Sequence, residues 1–482
     1  MSDRILGISA FYDESAAALV IDGEIVAAAQ EERFSRIKHD RRFPASAIDY
    51  CLREAGITIA EIDHIIFHDK GLTSFDRLLQ KYVPSMPDGL RAQFIAVPRW
   101  IKRKLHRPYH VWRAFGAKCW RPLSFADHYQ AQAACAFFPS PFEEAAVLVM
   151  DDTGGRGTAT IGIGRANKVE LLDSLEFPHS LSLLSKAFAS FCGFEGNRGE
   201  EGFMELATHG EPAFLDLIWN KLIGLREDGS CTMNMPVFRY RAGLSKRTLA
   251  ALFGGPPRQP GAPTTQREAD LARSLQKVVE EVLLHIAHTT RKRTGCRNLC
   301  LGGRFDLDYA AHAVLLRANI FDDIWIPAPQ GDASGALGAA LFAQYQLLGD
   351  ERRANAHDSL KGALLGPRFT NEDIHGYLRS QQIKHYYVPD EHELLENTVA
   401  ALLEGKIIGW FQGRMEFASS GLGARSILAD ARNARLQARL NANGEEEASF
   451  RASALSVSSS SFCSSSRSLK SKSSSARTAT PT

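Results

Sequence analysis

Residues 4–29 read RILGISAFYDESAAALVIDGEIVAAA, and this stretch decides the fold. The apolar run Arg4–Ala10 and the alternating run Ser15–Ile21 predict two strands. Asp22-Gly23 then predicts a hairpin turn before a third strand, Glu24–Ala29. The three strands form a β-meander. The short polar loop between the first two can present backbone N–H groups and a side chain to a phosphate.

The same design recurs further along the chain. Ala146–Asp151 predicts a buried strand, an acidic, glycine-containing loop follows at 152–157, and Thr158–Gly164 predicts the next strand. A long helix is indicated by apolar residues at helical spacing: Leu271, Leu275, Val278, Val279, Val282, Leu283 and Ile286. A strand, Asn298–Leu301, then runs into Gly302-Gly303 and a helical stretch from Tyr309. This repetition favours the duplicated α/β fold of the actin-like ATPase superfamily.

A further glycine-rich stretch covers residues 329–341 and reads PQGDASGALGAAL. Gly331 and Asp332 stand at the predicted start of a helix, and small residues follow them. Such a start allows close backbone approach to a bound ligand.

Composition and charge restrict the class of protein. The 482 residues are enough for two or three domains, and 57 basic against 55 acidic residues give a net charge of only +2, so no overall charge bias indicates nucleic acid. A basic, aromatic stretch at 98–113 fits a solvated helix and loop better than a nucleic-acid patch.

The cysteines and the apolar stretches indicate a cellular compartment. The eight cysteines show no paired ligand spacing, which favours reduced thiols over disulfides or a zinc site. We find neither a signal-peptide core nor an apolar run long enough to span a bilayer. The sequence therefore predicts a cytoplasmic protein without membrane contact.

Six stretches carry a family resemblance, and they occur in order along residues 5–443. They are 7–20 GISAFYDESAAALV, 28–40 AAQEERFSRIKHD, 136–142 AFFPSPF, 176–181 EFPHSL, 331–338 GDASGALG and 409–417 GWFQGRMEF. Together they resemble the O-carbamoyltransferases of the nodulation-protein-U and cephalosporin-carbamoylation family.

The resemblance implies a two-domain enzyme that uses ATP and carbamoyl phosphate. A C-terminal domain with a YrdC-like fold would form carbamoyl-adenylate, and the actin-like N-terminal domain would move the carbamoyl group to a hydroxyl of a sugar or secondary metabolite. The expected boundaries are an N-terminal domain at 1–350, a linker at 351–385, a partial YrdC-like α/β domain at 386–448 and a Ser-rich disordered tail at 449–482. A homodimer is a candidate assembly.

The resemblance also assigns roles to residues of this chain. Lys38 and His39 would be catalytic, and His128 and Asp332 would bind a divalent metal, iron or magnesium. The remaining candidates would hold nucleotide and phosphate: Ser15, Asp151, Gly154, Asn197, Glu200, Gly303, Gly331, Arg414, Arg425 and Arg432.

Several positions depart from the family pattern. Gln132 stands where a second metal-binding histidine, four residues after His128, is expected. In the first phosphate loop, acidic Asp13-Glu14 replaces an expected His-Asp pair. Gly202 replaces a lysine, and Ala418-Ser419-Ser420 replaces Gly-Pro-Arg. These departures weaken the expected metal and phosphate contacts.

The C-terminal end raises an alternative function. After residue 443 the family match gives way to a tail rich in serine, which lacks the apolar content needed to pack. Truncation or a frameshift would explain the change. The alternative is therefore a catalytically impaired relative that binds a nucleotide or a partner without transferring a group.

Overall fold

The structure is a computed structural model that describes residues 2–12, 14–68, 123–150, 157–176, 181–194, 199–226, 230–234, 238–239, 243–244, 246–304, 309–355, 358–418, 421, 423–433 and 436. The chain divides into two compact units. One comprises residues 1–383 and 411–425, and the other comprises 384–410 and 426–482. The first unit contains both large sheets.

The first sheet is built on the predicted meander. Its strands are β1 (Arg4–Ser9), β2 (Ala16–Ile21), β3 (Glu24–Gln30), β4 (His64–His68) and β5 (Leu123–Ala126), in the order β3-β2-β1-β4-β5. The meander strands are antiparallel, whereas β4 runs parallel to both β1 and β5. The turn at Asp22-Gly23 has φ 51° and 82°, as expected of an Asp-Gly hairpin.

The second sheet repeats this plan. Its strands are β6 (Glu144–Met150), β7 (Gly157–Arg165), β8 (Lys168–Glu176), β13 (Asn298–Gly303) and β14 (Asp323–Trp325), in the order β14-β13-β6-β7-β8. Again three antiparallel strands form one side, and two strands parallel to the first complete the sheet. The two sheets confirm the predicted duplicated α/β fold.

Twelve α-helices are described. They are α1 (Glu32–Ser35), α2 (Ala45–Ala55), α3 (His128–Phe137), α4 (Leu181–Phe191), α5 (Gly199–Leu206), α6 (Leu215–Lys221), α7 (Lys246–Phe253), α8 (Gln266–Thr294), α9 (Tyr309–Arg317), α10 (Gly331–Phe342), α11 (Asn371–Ser380) and α12 (Glu391–Leu403). The predicted long helix is α8. It starts at a capping box of Thr265 and Glu268 and ends at Gly295, whose φ is 68°.

Helices α3 and α10 lie between the two sheets. Helix α10 packs on β1, β2 and β4, α3 packs on β6 and β13, and the two helices pack against each other. Side chains are excluded at two contacts: a Cβ on Gly7 would overlap the carbonyl oxygen of Ala336, and one on Gly338 would overlap that of Ala131. The small residues of α10 therefore allow close approach to neighbouring protein backbone.

The edge of the first sheet is covered by two segments from later in the chain. Ala28 N donates to Leu365 O at 3.1 Å, and Gly366 N donates to Met415 O at 2.9 Å. These bonds hold the segment 411–425 against the first half of the chain. They also satisfy backbone groups that an exposed edge strand would leave unpaired.

The second unit contains α12 and most of a two-stranded sheet made by β15 (Ile408–Phe411) and β16 (Arg425–Leu428). The predicted domain boundaries and the YrdC-like fold stay predictions, and the tail 449–482 lies outside the described residues. Four short strands complete the inventory: β9 (Ile223–Leu225), β10 (Cys231–Met233), β11 (Phe238–Arg239) and β12 (Gly243–Leu244).

The cysteines and the helices of the described part of the chain bear on its environment. The six cysteines found there are free and buried, as the sequence predicted. No helix in that part has both the length and the apolar character needed to cross a membrane.

Candidate functional site

Polar residues collect where the central strands of the first sheet end and where α3 and α10 begin. Ser9 is the last residue of β1, His68 is the last residue of β4, and His128 opens α3. In open α/β sheets, ligands bind beyond the carboxyl ends of the parallel strands. This position is therefore the candidate functional site.

Three buried side chains at this position form a hydrogen-bonded chain. Ser9 Oγ lies 3.2 Å from His68 Nδ1, and His68 Nε2 lies 2.8 Å from His128 Nδ1. Ser9 and His68 are 0% exposed and His128 is 4% exposed. Helix α10 closes over the His68 ring at Gly335, where an added Cβ would come within 2.6 Å of ring atoms.

Gln132 braces the two central helices at this site. Its Nε2 donates to Gly331 O at 2.7 Å, and its Oε1 accepts a hydrogen bond from the Ser334 hydroxyl. Ser334 Oγ is also 2.7 Å from Gly331 O, so the first turn of α10 is tied to α3 through buried polar groups. Both ends of the Gln132 amide thus serve to join helices.

The described residues do not fit a resident metal ion. His128 is predicted as one ligand, and the half-buried Asp332 as the other. Gln132 directs its oxygen at Ser334 instead, and no group of three or more His, Cys, Asp or Glu residues in the described part of the chain could hold a metal. A non-haem iron site typically takes three protein ligands, two histidines and a carboxylate. The metal at His128 and Asp332 stays a prediction.

Glu14 is a buried carboxylate beside the predicted catalytic histidine. Its Oε1 lies 3.6 Å from His39 Nδ1, and its Oε2 lies 3.5 Å from the place of a Cβ on Gly331. Glu14 is 5% exposed. The carboxylate therefore lies close to the N-terminus of α10, where the helix dipole favours negative charge.

The other residues of the first loop are placed differently. His39 has a left-handed backbone with φ 54°, and its N–H donates to Glu32 Oε2 at 2.9 Å. Lys38 is exposed. Ser15 is 1% exposed, and its hydroxyl has no hydrogen-bond partner in the described part of the chain. Strained backbone and unsatisfied buried groups of this kind concentrate at functional sites.

Partly buried arginines lie on both sides of the contact between this region and the segment 411–425. Arg33 donates to Gln30 Oε1 at 2.7 Å and to Ala418 O at 2.8 Å. Arg425 Nε donates to Glu416 Oε2 at 3.1 Å, and Glu416 is 1% exposed. Burial, aided by the like charge of Arg425, lowers the pKa of Arg33. Arg33 Nε and Arg425 Nη2 are buried without a partner among the described residues.

The two remaining predicted arginines have other partners. Arg414 Nη1 donates to the Tyr50 hydroxyl at 3.0 Å, and its Nη2 pairs with Glu54 on α2. Arg432 is largely exposed and pairs with its near neighbour Asp430 at 2.7 Å. No contact among the described residues joins either guanidinium group to Arg425. Their phosphate roles stay predictions.

The predicted nucleotide residues are described only in part. Gly303 ends β13 with φ 91°, and a Cβ there would overlap the Met150 carbonyl. Glu200 lies in the first turn of α5, 3.7 Å from Lys186 Nζ. Asp151, Gly154 and Asn197 lie outside the described residues.

Sequence reasoning missed His68, Ser9 and Arg33. His68 ends an apolar strand run, Ile65-Ile-Phe67, and that pattern alone predicts only a strand. A histidine and a serine at the ends of two adjacent parallel strands would have been the available signal. It depends on knowing that β1 and β4 pair, which the sequence does not state.

Comparison with known proteins identifies the family. The chain matches the family described as "Carbamoyltransferase N-terminus" over residues 4–341 and "Carbamoyltransferase C-terminus" over residues 399–475. It is similar to "Uncharacterized protein sll1178" of Synechocystis sp., with 46% identity over 463 residues, 94% of this chain and 75% of that protein.

Two further similarities are more distant. "Nodulation protein NolNO" of Sinorhizobium fredii is 30% identical over 93% of this chain and 62% of its own length. The chain thus spans less than two thirds of that relative. Component A of the Acidaminococcus fermentans (R)-2-hydroxyglutaryl-CoA dehydratase is 13% identical over 72% of this chain and 99% of its own, with a TM-score of 0.38. The family matches confirm the predicted resemblance, and the chain belongs to the carbamoyltransferase family.

Proposed function

We propose that the chain transfers a carbamoyl group from carbamoyl phosphate to a hydroxyl of a small molecule such as a sugar or secondary metabolite. Carbamoyl phosphate first loses phosphate to water, which leaves carbamate. The carbamate oxygen attacks the α-phosphorus of ATP and pyrophosphate leaves. The acceptor hydroxyl then attacks the carbonyl carbon of carbamoyl-adenylate, gives up its proton, and AMP departs.

One observation carries this proposal: both family halves match this chain in their order, at 4–341 and 399–475. The activation step also has a chemical reason. An alcohol is a weak nucleophile, and a mixed anhydride with AMP has a better leaving group than a free carbamate. The small-molecule acceptor and the carbamoyl-adenylate intermediate follow from the resemblance.

The site offers groups suited to nucleotide binding. Gly331 begins α10 with φ 65°, and the N-terminus of that helix favours an anion. Glu14 now lies there, so a phosphate would have to displace this carboxylate or share it with a cation. Arg425, whose Nη2 is buried without a partner among the described residues, would contact phosphate from the segment 411–425.

His39 is the candidate base for the acceptor hydroxyl. The Glu14 carboxylate, 3.6 Å from its Nδ1, would orient the ring and stabilise the imidazolium formed when the proton is taken. Lys38 precedes it and is exposed, so its ammonium group would assist by attracting phosphate.

Pyrophosphate release tests the proposal without knowledge of the acceptor. The full chain with ATP, Mg²⁺ and carbamoyl phosphate should release pyrophosphate, and omission of carbamoyl phosphate should stop it. Arg425→Met should reduce release at least about tenfold, since a lost charge-assisted hydrogen bond costs roughly 1.5–3 kcal/mol. Arg353→Met, at an exposed arginine, is the matched control. No release by a chain that melts cooperatively would contradict the proposal.

The alternative function is binding without transfer. It is favoured by the placement of Arg414 and Arg432, since both guanidinium groups already have carboxylate partners. Calorimetric titration of ATP, with and without Mg²⁺, separates the alternatives. Binding without pyrophosphate release would support a nucleotide-binding relative, and release would exclude it.

A further inference from the structure

We infer that Gln30 and Arg33 form, together with Arg425, a binding site for an oxyanion of the phosphate class. Gln30 ends β3 and Arg33 lies in α1, whereas Arg425 ends the segment 411–425. All three residues belong to the first compact unit. The site therefore joins hydrogen-bond donors from two distant parts of the sequence.

Each of the three side chains has a buried nitrogen without a partner among the described residues. These atoms are Gln30 Nε2, Arg33 Nε and Arg425 Nη2. Gln30 as a whole is only 1% exposed. Buried polar groups in folded proteins are nearly always hydrogen-bonded, so an exception needs an explanation. A bound ligand that accepts hydrogen bonds explains all three.

The other contacts of Arg33 hold its guanidinium group in one orientation. Its Nη2 donates to Gln30 Oε1 at 2.7 Å and to Ala418 O at 2.8 Å. Its Nη1 lies 2.8 Å from Glu32 Oε1. Among the described contacts, Nε is the one nitrogen of this group without a partner. The direction of its N–H is therefore fixed before a ligand arrives.

Arg425 is brought near Arg33 by the residues that the two arginines contact. Arg425 Nε donates to Glu416 Oε2 at 3.1 Å, and Glu416 precedes Ala418, the partner of Arg33, by two residues. Two residues of chain span at most about 7 Å. Burial lowers the pKa of Arg33, and the positive charge of Arg425 adds to this effect. An anion bound by both groups would relieve that repulsion.

The ligand class follows from the atoms that lack partners. All three are donors, and the Gln30 oxygen is already used by Arg33, so the site offers no lone pair to a cation. Two guanidinium groups favour an anion over a neutral acceptor, and their planar N–H pairs match phosphate oxygens. Glu32 and Glu416 offset part of the positive charge and orient the two groups.

Access to the site requires a local displacement at Ala418. The three nitrogens are covered in the unliganded chain, and the Ala418 carbonyl occupies Arg33 Nη2. The Nε and Nη2 atoms of an arginine can bind two oxygens of one phosphate. A phosphate would thus replace the Ala418 oxygen on Nη2 and add the missing partner of Nε.

Gln30→Glu is the sharpest test of the site. It retains an oxygen for Arg33 but replaces the unpartnered N–H₂ group with a carboxylate oxygen, which repels phosphate. Calorimetric titration of inorganic phosphate into the full chain should show binding, weakened at least about tenfold in Gln30→Glu. Gln381→Glu, at an exposed glutamine, is the matched control. Equal phosphate affinity of both variants would overturn the inference, and so would no binding by a wild-type chain that melts cooperatively.

Arg33→Lys provides a second variant, which decides the matter if Gln30→Glu does not melt cooperatively. Lysine retains the positive charge but lacks the Nε and Nη2 pair, so phosphate binding should again fall about tenfold or more. Arg353→Lys, at an exposed arginine, should bind phosphate as the wild type does. Unchanged phosphate affinity in Arg33→Lys would contradict the site.

Carbamoyl phosphate and metal-free ATP distinguish the possible sources of the phosphate, and this assignment rests on the proposed function. The ligand whose affinity falls more in Gln30→Glu is the one that the site holds. Phosphate binding that is weakened in Gln30→Glu, without pyrophosphate release by the wild type, would support the site and refute the proposed function. Pyrophosphate release and phosphate affinity that are both unchanged in Gln30→Glu would refute the site and leave the function standing.

Discussion

Helices α10 and α11 have similar lengths, 12 and 10 residues, but opposite surroundings. In α10 every residue except Asp332 is buried, whereas in α11 none is. Helix α10 begins without a side-chain cap, and α11 begins at a capping box in which Thr370 and Asp373 bond each other's backbone N–H. One helix is held by its neighbours and the other mainly by its own ends.

The difference shows where this protein is sensitive to change. The interior pair α3 and α10 carries the candidate site, and its backbones touch at glycine. Substitutions there should act on folding and on the site together. The same chemical changes on an exposed helix should be neutral or stabilising.

The largest effect is expected from alanine at Gly338. Its new Cβ would overlap the Ala131 carbonyl, so α3 and α10 must separate. We expect a loss of about 3 kcal/mol or more in the free energy of unfolding. Gly376→Ala in α11 meets nothing within 4 Å and should stabilise by about 0.5–1 kcal/mol. Urea unfolding measures the change in the free energy of unfolding of each variant. Equal changes in the two variants would contradict the prediction.

Arg352 should come next. It is 4% exposed and donates to the carbonyls of Phe137, Phe138, Ser140 and Phe142, at 2.8–3.2 Å. These hydrogen bonds fix the loop after α3, which belongs to the family stretch at 136–142. Arg352→Met should cost about 3 kcal/mol, because buried carbonyls lose a charged donor. Arg353→Met, at the exposed neighbouring residue, is the control and should change the melting temperature little. A similar decrease in the melting temperature of both variants would instead indicate a general effect of removing a positive charge.

A pH-dependent difference is expected at His312 on α9. Burial lowers its pKa to about 4 from 6.5. The unfolded chain therefore binds this proton first, so the stabilisation is complete above pH 6.5 and is lost as the pH falls towards 4. His312→Leu should remove about 2–3 kcal/mol of this dependence. His392→Leu, at an exposed histidine, should leave the pH dependence of stability unchanged. Denaturant midpoints at pH 7 and pH 5 test this, and parallel curves for wild type and His312→Leu would contradict it.

Gln132→Met should have the smallest effect. A thioether cannot donate to Gly331 O, so one of the bonds between α3 and α10 is lost, at a cost of about 1–2 kcal/mol. Gln130→Met, half-buried on the same helix, is the control. Chemical unfolding compares the two, and a larger loss at Gln130 would show that Gln132 is not the brace.

Much of the scaffold could be predicted from local sequence. The three strands of the first meander and the first two of the second were located to within two residues, whereas the third strand of the second meander was not predicted. Apolar spacing with a Thr-Glu capping box and a terminal glycine accounts for α8. These features depend on neighbours close in the chain. Gln132 shows what local sequence cannot predict. It stands where a metal-binding histidine was expected, and in the structure it joins helices whose residues lie about 200 positions apart in sequence.

Arg414 and His68 show the same limit of prediction from local sequence. One was predicted to have a role for which its contacts differ, and the other was predicted to have none. Arg414 was predicted to hold phosphate, and in the structure it bonds Tyr50 and Glu54, more than 350 residues earlier. His68 was given no role, yet it connects Ser9 to His128. In both cases, the partner depends on which strands and helices become neighbours.

The sequence by itself determined the repeated meanders, the long amphipathic helix, the reduced cysteines and, through six ordered stretches, the carbamoyltransferase family. All are set by short-range patterns or by similarity along the chain. Only the tertiary structure decided which polar atoms meet: the Ser9–His68–His128 chain, the Gln132 hydrogen bonds between α3 and α10, and the hydrogen bond from Arg33 to Ala418 O. Hydrogen bonds of about 3 Å between distant segments depend on packing geometry, and local pattern does not encode it.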